Sequence, residues 1–157
     1  MNNVILQPAG DRAYSRPHYV NTVQNAVPMA DIAKHVSSNE LAYITASITA
    51  DSICAWGIRP GLGEAQWRKI QPGDMVLFAW DNHYQSSSTV VAKIHNTALA
   101  TQLWDTDAEG NTWEWMYFLQ PPIVINVPYS QLNASVGYDP RYVPQGVNVL
   151  KGEKAEA

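Results

Sequence analysis

Aromatic residues beside two predicted turns carry the chemistry to which this sequence points. Trp56 lies in SICAWGIRPG, and Trp80 and Tyr84 lie in FAWDNHY, and both segments follow the predicted end of a strand. Aromatic rings that meet there would form a slot for a flat ligand, since Trp and Tyr offer an apolar face and a polar edge. A nucleobase flipped out of a duplex is such a ligand, because stacking and edge hydrogen bonds offset the energy lost in extruding it. Suitable partners for the base edge are Ser47, Asp81 and Asn82.

The same slot would favour a methylated base. A methyl group enclosed by apolar surface adds about 1 kcal/mol to the binding free energy. Replacement of Trp56 by alanine is therefore expected to abolish binding with only a small loss of stability. The alternative is that Trp56 and Trp80 fill the core and bind nothing.

Charge limits how the chain could hold nucleic acid. The sequence has 10 Lys and Arg against 14 Asp and Glu, which gives a formal net charge of −4. Proteins that hold duplex DNA through charge alone place many cations on phosphates, so any binding here must depend on a pocket. The basic residues that could contact phosphates and fix the register are Arg59, Arg68, Lys69, Lys93 and Arg141. The alternative is that these charges only solubilise the surface.

Signatures of catalysis and of metal or cofactor binding are missing from the sequence. Cys54 is the single cysteine, so no intramolecular disulfide forms and no CxxC pair exists. The motifs HExxH, GxSxG, GxGxxG and GxxxxGK(S/T) are absent, and the four histidines are scattered. We therefore expect a binding domain without catalytic residues, metal ions or cofactors, in which Cys54 is a small buried thiol.

One acidic segment supports a competing interpretation. Asp105, Asp107 and Glu109 lie together in DTDAEGN, and carboxylates placed in this way can hold a cation or exchange protons. The composition of the segment is typical of a solvated turn. If instead Asp105, Asp107 and His95 surrounded a pocket, the chain would be a small enzyme or a metabolite-binding domain.

The length of 157 residues suits one domain. No run approaches the roughly 18 to 20 apolar residues of a membrane span, and the polar start lacks the layout of a signal peptide. We therefore expect a cytoplasmic protein without membrane contact. Asn, Pro and Gln without a clear period predict an irregular N-terminal arm over residues 1–28. The folded domain is expected over residues 29–150, and residues 151–157 form a charged tail or linker to which a further domain could be joined.

The periodicity of apolar residues predicts a mixed α+β fold. Helices are expected at residues 29–36, 63–70, 97–104 and 129–133. Strands are expected at residues 41–48, 75–80, 88–96, 112–119 and 123–127, with 75–80 as the central strand. The segments 112–119 and 123–127 are two strands or one broken strand, and residues 136–150 hold a turn and a final strand. Residues 49–63 are expected to form the loop that carries Trp56, and residues 81–88 a polar loop. Because the helices are short and irregularly spaced, we expect a curled mixed sheet or a small β-barrel.

The order of these segments resembles that of the EVE and YTH branch of the PUA-like superfamily. It is more closely similar to the EVE-like reader domains of modification-dependent restriction proteins of the McrB and HNH type. The resemblance covers about residues 40–150. The segments that carry it are AYITAS ending in Ser47, AWGIRPG, WRKIQPGDMVLF with Trp67, Gly73 and Asp74, VVAKIHN, LATQLW, TWEWMYFL, INVPYSQLN and VPQGVNVL.

The resemblance implies a PUA-like fold with an aromatic cage for a modified base. In the family, the cage is built from the end of the first strand, the tryptophan loop after it and the loop after the central strand. The matching positions are Ser47, Trp56 and Gly57, then Phe78, Trp80, Asp81 and Tyr84, with Trp104 ahead of Trp113 as a further wall. The implied partner is double-stranded DNA that carries 5-methylcytosine or N6-methyladenine. Such readers are usually fused to a nuclease or an AAA+ motor domain, so this chain would be the non-catalytic specificity module.

The chain departs from the patterns of the family in two ways. In YTH domains a lysine precedes the serine, whereas this chain has Ala46 at that position. The difference argues against recognition of adenine in the way that YTH domains recognise it. The GVRN of EVE domains is here Gly57, Ile58, Arg59 and Pro60, which removes an asparagine that could bond the base. An RNA-binding PUA-like module is the alternative, since the fold serves both nucleic acids and nothing in the sequence reads the 2′-hydroxyl.

Overall fold

A computed structural model describes residues 2–151 of the chain, which are organised around an eight-stranded sheet. The strands are β1 (Val4–Pro8), β2 (Val27–Pro28), β3 (Ser52–Ile58), β4 (Met75–Trp80), β5 (His83–His95), β6 (Trp115–Leu119), β7 (Ile123–Pro128) and β8 (Asn148–Leu150). The helices are α1 (Ser15–Tyr19), α2 (Met29–Ala33), α3 (Ser38–Thr45), α4 (Leu62–Trp67), α5 (Thr97–Trp104) and α6 (Tyr129–Val136), and a π-helical segment (Val20–Gln24) follows α1 directly.

The sheet is mixed, strongly curled and open. Its strand order is β2-β3-β6-β5-β4-β1-β8, and β7 pairs with β5 beyond the end of β6. The pairing of β1 with β4 is parallel, and the pairing of β4 with β5 is antiparallel. The hydroxyl of Tyr117 in β6 donates to Oε1 of Gln7 in β1 at 3.1 Å, although two strands lie between them and neighbouring strands are about 4.8 Å apart. The predicted α+β fold with a curled mixed sheet is confirmed, and the sheet ends at β2 and β8 instead of closing into a barrel.

The N-terminal segment is part of this sheet, so the prediction of an irregular arm over residues 1–28 is wrong within the described residues. β1 lies between β4 and β8, and Ile5 and Leu6 are fully buried. The five-residue run VILQP is apolar enough to fill a strand position that is covered on both faces. The folded unit therefore begins well before residue 29. Of the predicted tail, residues 152–157 lie outside the described residues.

The predicted strand over residues 41–48 is a helix instead. The Ser37 hydroxyl accepts a hydrogen bond from the Glu40 N–H at 3.1 Å, and the Glu40 carboxylate accepts one from the Ser37 N–H at 2.9 Å. This reciprocal capping box starts α3 and outweighs the strand preference of the residues that follow. The first strand of the predicted motif therefore shifts to residues 52–58, where β3 replaces the predicted tryptophan loop.

The polar segment after the central strand also differs from its prediction. Asp81 and Asn82 form a two-residue hairpin turn with φ values of 52° and 61°, as a primed turn requires. From His83 onwards the chain continues as β5, in which Tyr84, Ser86 and Ser88 are buried and the residues between them are partly exposed. The predicted loop over residues 81–88 is therefore wrong beyond the turn, because Ser86 and Ser88 are buried at alternate positions of a strand.

Strand β3 divides two cores, because alternate side chains of a strand face opposite sides. Trp56 points into the curl of the sheet, where it packs with Phe78 of β4. Ala55 points to the other side, where α5 covers the sheet. The predicted helix at residues 97–104 is confirmed as α5, with the Asn96 side chain accepting from the Leu99 N–H at its start. Within residues 2–151, none of the helices has the length and apolarity that crossing a membrane demands.

Candidate nucleic-acid interface

Four aromatic side chains meet inside the curl and form what we call the inner aromatic cluster: Tyr19, Trp56, Phe78 and Trp80. The ring centroids of Trp56 and Phe78 are 5.1 Å apart, those of Tyr19 and Phe78 5.1 Å, and those of Tyr19 and Trp80 4.8 Å. The angles between these ring planes are 62° to 68°, so the rings pack edge to face and leave no parallel slot. Trp56 is 3% exposed and Phe78 is fully buried, whereas Trp80 is partly exposed.

Polar groups border the inner aromatic cluster. The hydroxyls of Tyr19 and Ser86 share a buried hydrogen bond of 2.6 Å, and Gln7 is held by the hydroxyl of Tyr117. The indole Nε1 of Trp56 is buried without a hydrogen-bond partner. Buried polar groups are nearly always paired in folded proteins, and this N–H has no acceptor among the described residues.

Arg16 of α1 covers Trp80 at the rim of the cluster. Its guanidinium carbon lies 3.9 Å from the centroid of the Trp80 ring and 5.6 Å from that of Tyr19. One guanidinium nitrogen, Nη1, is buried without a hydrogen-bond partner. The main chain of Gly10 also packs against Trp80, since a Cβ at this glycine would lie 3.0 Å from the Trp80 Cβ. Trp80 is therefore fixed by the backbone on one side and covered by a flexible cation on another.

Three of the predicted cage residues, Trp56, Phe78 and Trp80, are brought together in this cluster, and the others are not. Tyr84 points to the opposite side of β4 and β5, where its ring lies 5.0 Å from that of Tyr129. The two-residue turn pairs Tyr84 with Ala79, which faces the same side, and a register shift between Tyr84 and Ser86 places Ser86 on the other side. Burial raises the pKa of Tyr84. Asp81 is exposed in the hairpin turn directly after Trp80.

Ser47 lies in the connection between α3 and β3 and not at the end of a strand of the described chain. It is exposed in the turn that follows α3, because the segment predicted to be the first strand is helical. The predicted cage includes a residue from the end of the first strand. In this chain Gln7 of β1 takes that place, and it is paired in register with Phe78 of β4. The residues that sequence reasoning missed at this site are Gln7, Arg16, Tyr19 and Ser86.

A second set of rings, the outer aromatic cluster, lies on the other side of β3 and consists of Tyr14, His18, Trp104 and Trp113. Gly57 makes their packing possible, because a Cβ there would lie 2.2 Å from the carbonyl oxygen of Trp113 and 2.7 Å from Cζ3 of Trp104. The Trp104 indole donates to the Thr22 hydroxyl at 3.3 Å. Gly57 and Trp104 are thus packing residues of this outer cluster, on the face of β3 that turns away from Trp56.

Protonation of His18 in the outer cluster is expected to destabilise the fold at low pH. His18 is 8% exposed, and burial, followed by the charge of Arg59, lowers its pKa from 6.5 to about 4. Below pH 6.5 the unfolded chain binds a proton that the folded chain does not, so stability falls as the pH drops from 6.5 to about 4. We expect this group to lower the free energy of unfolding by about 2 kcal/mol between pH 7 and pH 5.

Urea denaturation followed by circular dichroism at both pH values measures this effect. In His18→Gln the loss of stability between pH 7 and pH 5 should shrink by about 2 kcal/mol. The matched variant His35→Gln tests whether the change is specific to His18. Equal pH dependence in wild type and His18→Gln would contradict the assignment.

The five basic residues predicted to contact phosphates already have partners, with one exception. Arg59 pairs with Asp107 at 3.1 Å, Arg68 with Glu64 at 3.3 Å, and Arg141 with Asp139 at 3.5 Å. The Lys93 ammonium donates to the carbonyls of Trp67 and Arg68, both at 3.2 Å, and thus closes the C-terminal end of α4. Lys69 is exposed. Contacts of these residues with phosphates stay predictions.

The acidic segment is a turn, as its composition predicts. The Asp107 carboxylate accepts hydrogen bonds from the N–H groups of Glu109 and Asn111, both around its own turn. His95 pairs with Glu114 at 3.1 Å and stacks on Trp115, so it has different partners from Asp107. Within residues 2–151, no three His, Cys, Asp or Glu side chains are grouped as metal ligands would be. Cys54 is buried, as predicted, and burial raises its pKa to about 11.

Two open cavities lie elsewhere on the surface. One of about 370 Å³ lies between the π-helical segment, α2 and α5, and its lining includes Thr22, Asp31 and His35. Another of about 300 Å³ lies beside the hairpin turn and is lined by Asn82, Tyr129 and Arg141, among others. The lining of both excludes the four rings of the inner aromatic cluster.

Comparison with known proteins identifies the fold. No family model matches the sequence, and no curated protein matches it. Among solved structures, the chain is similar to the N-terminal domain of Thermococcus gammatolerans McrB bound to m5C DNA, with a TM-score of 0.69 and 17% sequence identity. The match covers 99% of this chain and 94% of that chain. The chain therefore has the fold of the McrB N-terminal domain, which confirms at the level of architecture the resemblance that its sequence predicts.

Proposed function

We propose that this chain binds double-stranded DNA that carries a modified base, and that it serves as the specificity module of a modification-dependent restriction system. The observation that carries the proposal is the inner aromatic cluster, with Trp80 at its partly exposed rim and an unpaired buried donor on Trp56. The support from outside the molecule is the shared fold with a McrB domain that was solved bound to m5C DNA. The modified base enters the curl of the sheet at Trp80.

In this proposal the free energy of DNA binding comes largely from a base inserted into the curl of the sheet. With a net charge of −4, the chain cannot rely on neutralising many phosphates. Extruding a base costs a few kcal/mol, and stacking on an aromatic side chain contributes about 1–3 kcal/mol. The methyl group of 5-methylcytosine or N6-methyladenine adds about 1 kcal/mol when it is enclosed by apolar surface.

Hydrogen bonding at the edge of the base would come from groups that border the cluster. The Trp56 indole N–H is an unpaired donor, and the Ser86 hydroxyl is a donor and an acceptor that Tyr19 already holds in place. Gln7 offers an amide at the end of β1, beside Phe78. These groups replace Ser47 and Asp81 as the candidates for reading the base.

Catalysis belongs to another part of such a system. In this proposal the chain recognises DNA without cleaving it, and a nuclease or an AAA+ motor domain, in the same protein or in a partner, acts on the bound DNA. The McrB neighbour is an N-terminal domain bound to m5C DNA, which supports a DNA-binding role for this chain within such a system.

A fluorescence-anisotropy titration tests the proposal. Four matched duplexes are compared at one moderate salt concentration: unmodified, and with a single 5-methylcytosine, 5-hydroxymethylcytosine or N6-methyladenine. One modified duplex should bind at least about fivefold more tightly than the unmodified one, since one enclosed methyl group is worth about 1 kcal/mol. Equal affinity for all four duplexes, or tighter binding to a single-stranded RNA of the same length, would contradict the proposal.

A further inference from the structure

We propose that Arg16 and the captured base compete for the same face of Trp80, and that Arg16 moves from this face to a DNA phosphate when the base enters. The inference rests on the proposed function and assigns Arg16 a role in it. Arg16 would be a positioning residue that exchanges an aromatic partner for an anionic one.

The geometry makes the competition direct. The guanidinium carbon of Arg16 lies over the Trp80 ring, 3.9 Å from its centroid, so the guanidinium is in contact with this face of the ring. A nucleobase in contact with the same ring needs about 3.5–4.0 Å between heavy atoms. Both planes cannot occupy this layer at once, so a base that stacks on this face displaces Arg16.

Arg16 is the group beside Trp80 that is able to leave. Tyr19 is 5% exposed and its hydroxyl is tied to Ser86, and Gly10 contacts Trp80 through main-chain atoms. Arg16 is only partly buried and touches the ring through a long side chain. Moving its guanidinium away breaks cation–π contacts with Trp80 and Tyr19 and no ion pair of residues 2–151.

Because Arg16 has no acidic partner among the described residues, its guanidinium can bind a DNA phosphate. Arg59, Arg68 and Arg141 are each held by a carboxylate, whereas Arg16 has a buried Nη1 without any acceptor. Arginine presents its donors in a fork that matches phosphate geometry. A flipped nucleotide carries a phosphate on each side of its sugar, so its arrival brings an acceptor to the rim where Arg16 lies.

The test compares a ligand without phosphates with a ligand that has them. The ligands are the nucleosides 5-methyl-2′-deoxycytidine and N6-methyl-2′-deoxyadenosine, titrated by NMR, and the corresponding methylated duplexes, titrated by anisotropy at several salt concentrations. The variants are Arg16→Ala and Arg16→Lys, and the matched control is Arg12→Ala, which removes an exposed arginine four residues earlier. Unfolding curves of each variant establish that it is folded.

Arg16→Ala should bind the nucleoside of the preferred duplex about fivefold more tightly than the wild type, because the cation–π contact no longer competes. The same variant should bind the duplex more weakly, with the salt slope smaller by about 1. Arg16→Lys should gain affinity for the nucleoside yet keep the salt slope, because it retains the charge without the stacking plane. Arg12→Ala should leave nucleoside affinity unchanged.

Other patterns overturn the inference. Weaker binding of both ligands by Arg16→Ala would mean that Arg16 stays and bonds the base, and tighter binding of both would mean that it only obstructs entry. Unchanged affinities would show that Arg16 and the base do not share the face of Trp80. A failure of the proposed function has a different signature, because the wild type and Arg12→Ala would then show no preference for any methylated duplex.

Discussion

Replacement of Trp80 by alanine is expected to weaken binding of the preferred methylated duplex by a factor between about 5 and about 150, since a base stacked on an aromatic side chain is worth about 1–3 kcal/mol. Affinity for the unmodified duplex should change much less, because only a flipped base reaches the ring. The protein should remain folded, since Trp80 lies at the partly exposed rim of the inner aromatic cluster. Anisotropy titrations with both duplexes measure the ratio of the two affinities.

A matched control is available in Trp115→Ala. Trp115 is also partly buried and packs against the same core, but its neighbours are Trp67, Arg68 and His95. It should lose comparable stability and keep the preference for the methylated duplex. An equal loss of affinity for modified and unmodified duplexes in Trp80→Ala would show that Trp80 supports the fold or the phosphate contacts and does not stack on the base.

Replacement of Trp56 by alanine should chiefly lower the stability of the fold. Trp56 is 3% exposed and its ring packs on Phe78 at 5.1 Å, so its removal leaves a large cavity inside the curl. Substitutions of this kind cost about 3–5 kcal/mol, a large part of the 5–15 kcal/mol by which typical domains are stable. Urea denaturation followed by circular dichroism should show this loss.

This result reverses the expectation from sequence that Trp56→Ala would spare stability. The conservative variant Trp56→Phe keeps most of the ring volume and removes the Nε1 donor, so it separates packing from base recognition. It should stay folded and lose part of its preference for the modified duplex. Denaturation midpoints that are the same for wild type and Trp56→Ala would refute the structural role that its burial indicates.

The fold was predictable where local signals and long-range packing agree. The central strand β4 is an uninterrupted apolar run, and α5 combines an Asn96 cap with apolar residues on one face. The segment after Ser37 holds conflicting signals, because its alternating residues favour a strand while the capping box with Glu40 starts a helix. β1 is a short strand that itself contains Gln7 and Pro8, so its apolar residues gave too short a local signal, and its pairing with β4 and β8 shows only in the tertiary structure.

The site was predictable where the bounds of a strand, and so the side to which each of its residues points, could be read from the sequence. Trp56, Phe78 and Trp80 meet because β3 and β4 lie across the curl from each other. Tyr84 falls on the opposite side because β5 starts at His83, directly after a two-residue turn that sequence reasoning extended into a loop. Arg16 and Tyr19 carry no sequence motif, and only the tertiary packing of α1 over the open curl brings them to Trp80.

The pairing of β1 with β4 and β8 determines where the ends of the described chain lie relative to Trp80. Val4 pairs with Leu150 on one side and with Met75 on the other, while Pro8 lies beside Ala79, next to Trp80. Both ends of the described chain therefore leave from one corner, about 15 Å along the strands from the rim where Trp80 lies, at about 3.3 Å per residue. A motor or nuclease tethered at that corner would pull from the far side of the domain and leave the rim free to hold its nucleotide.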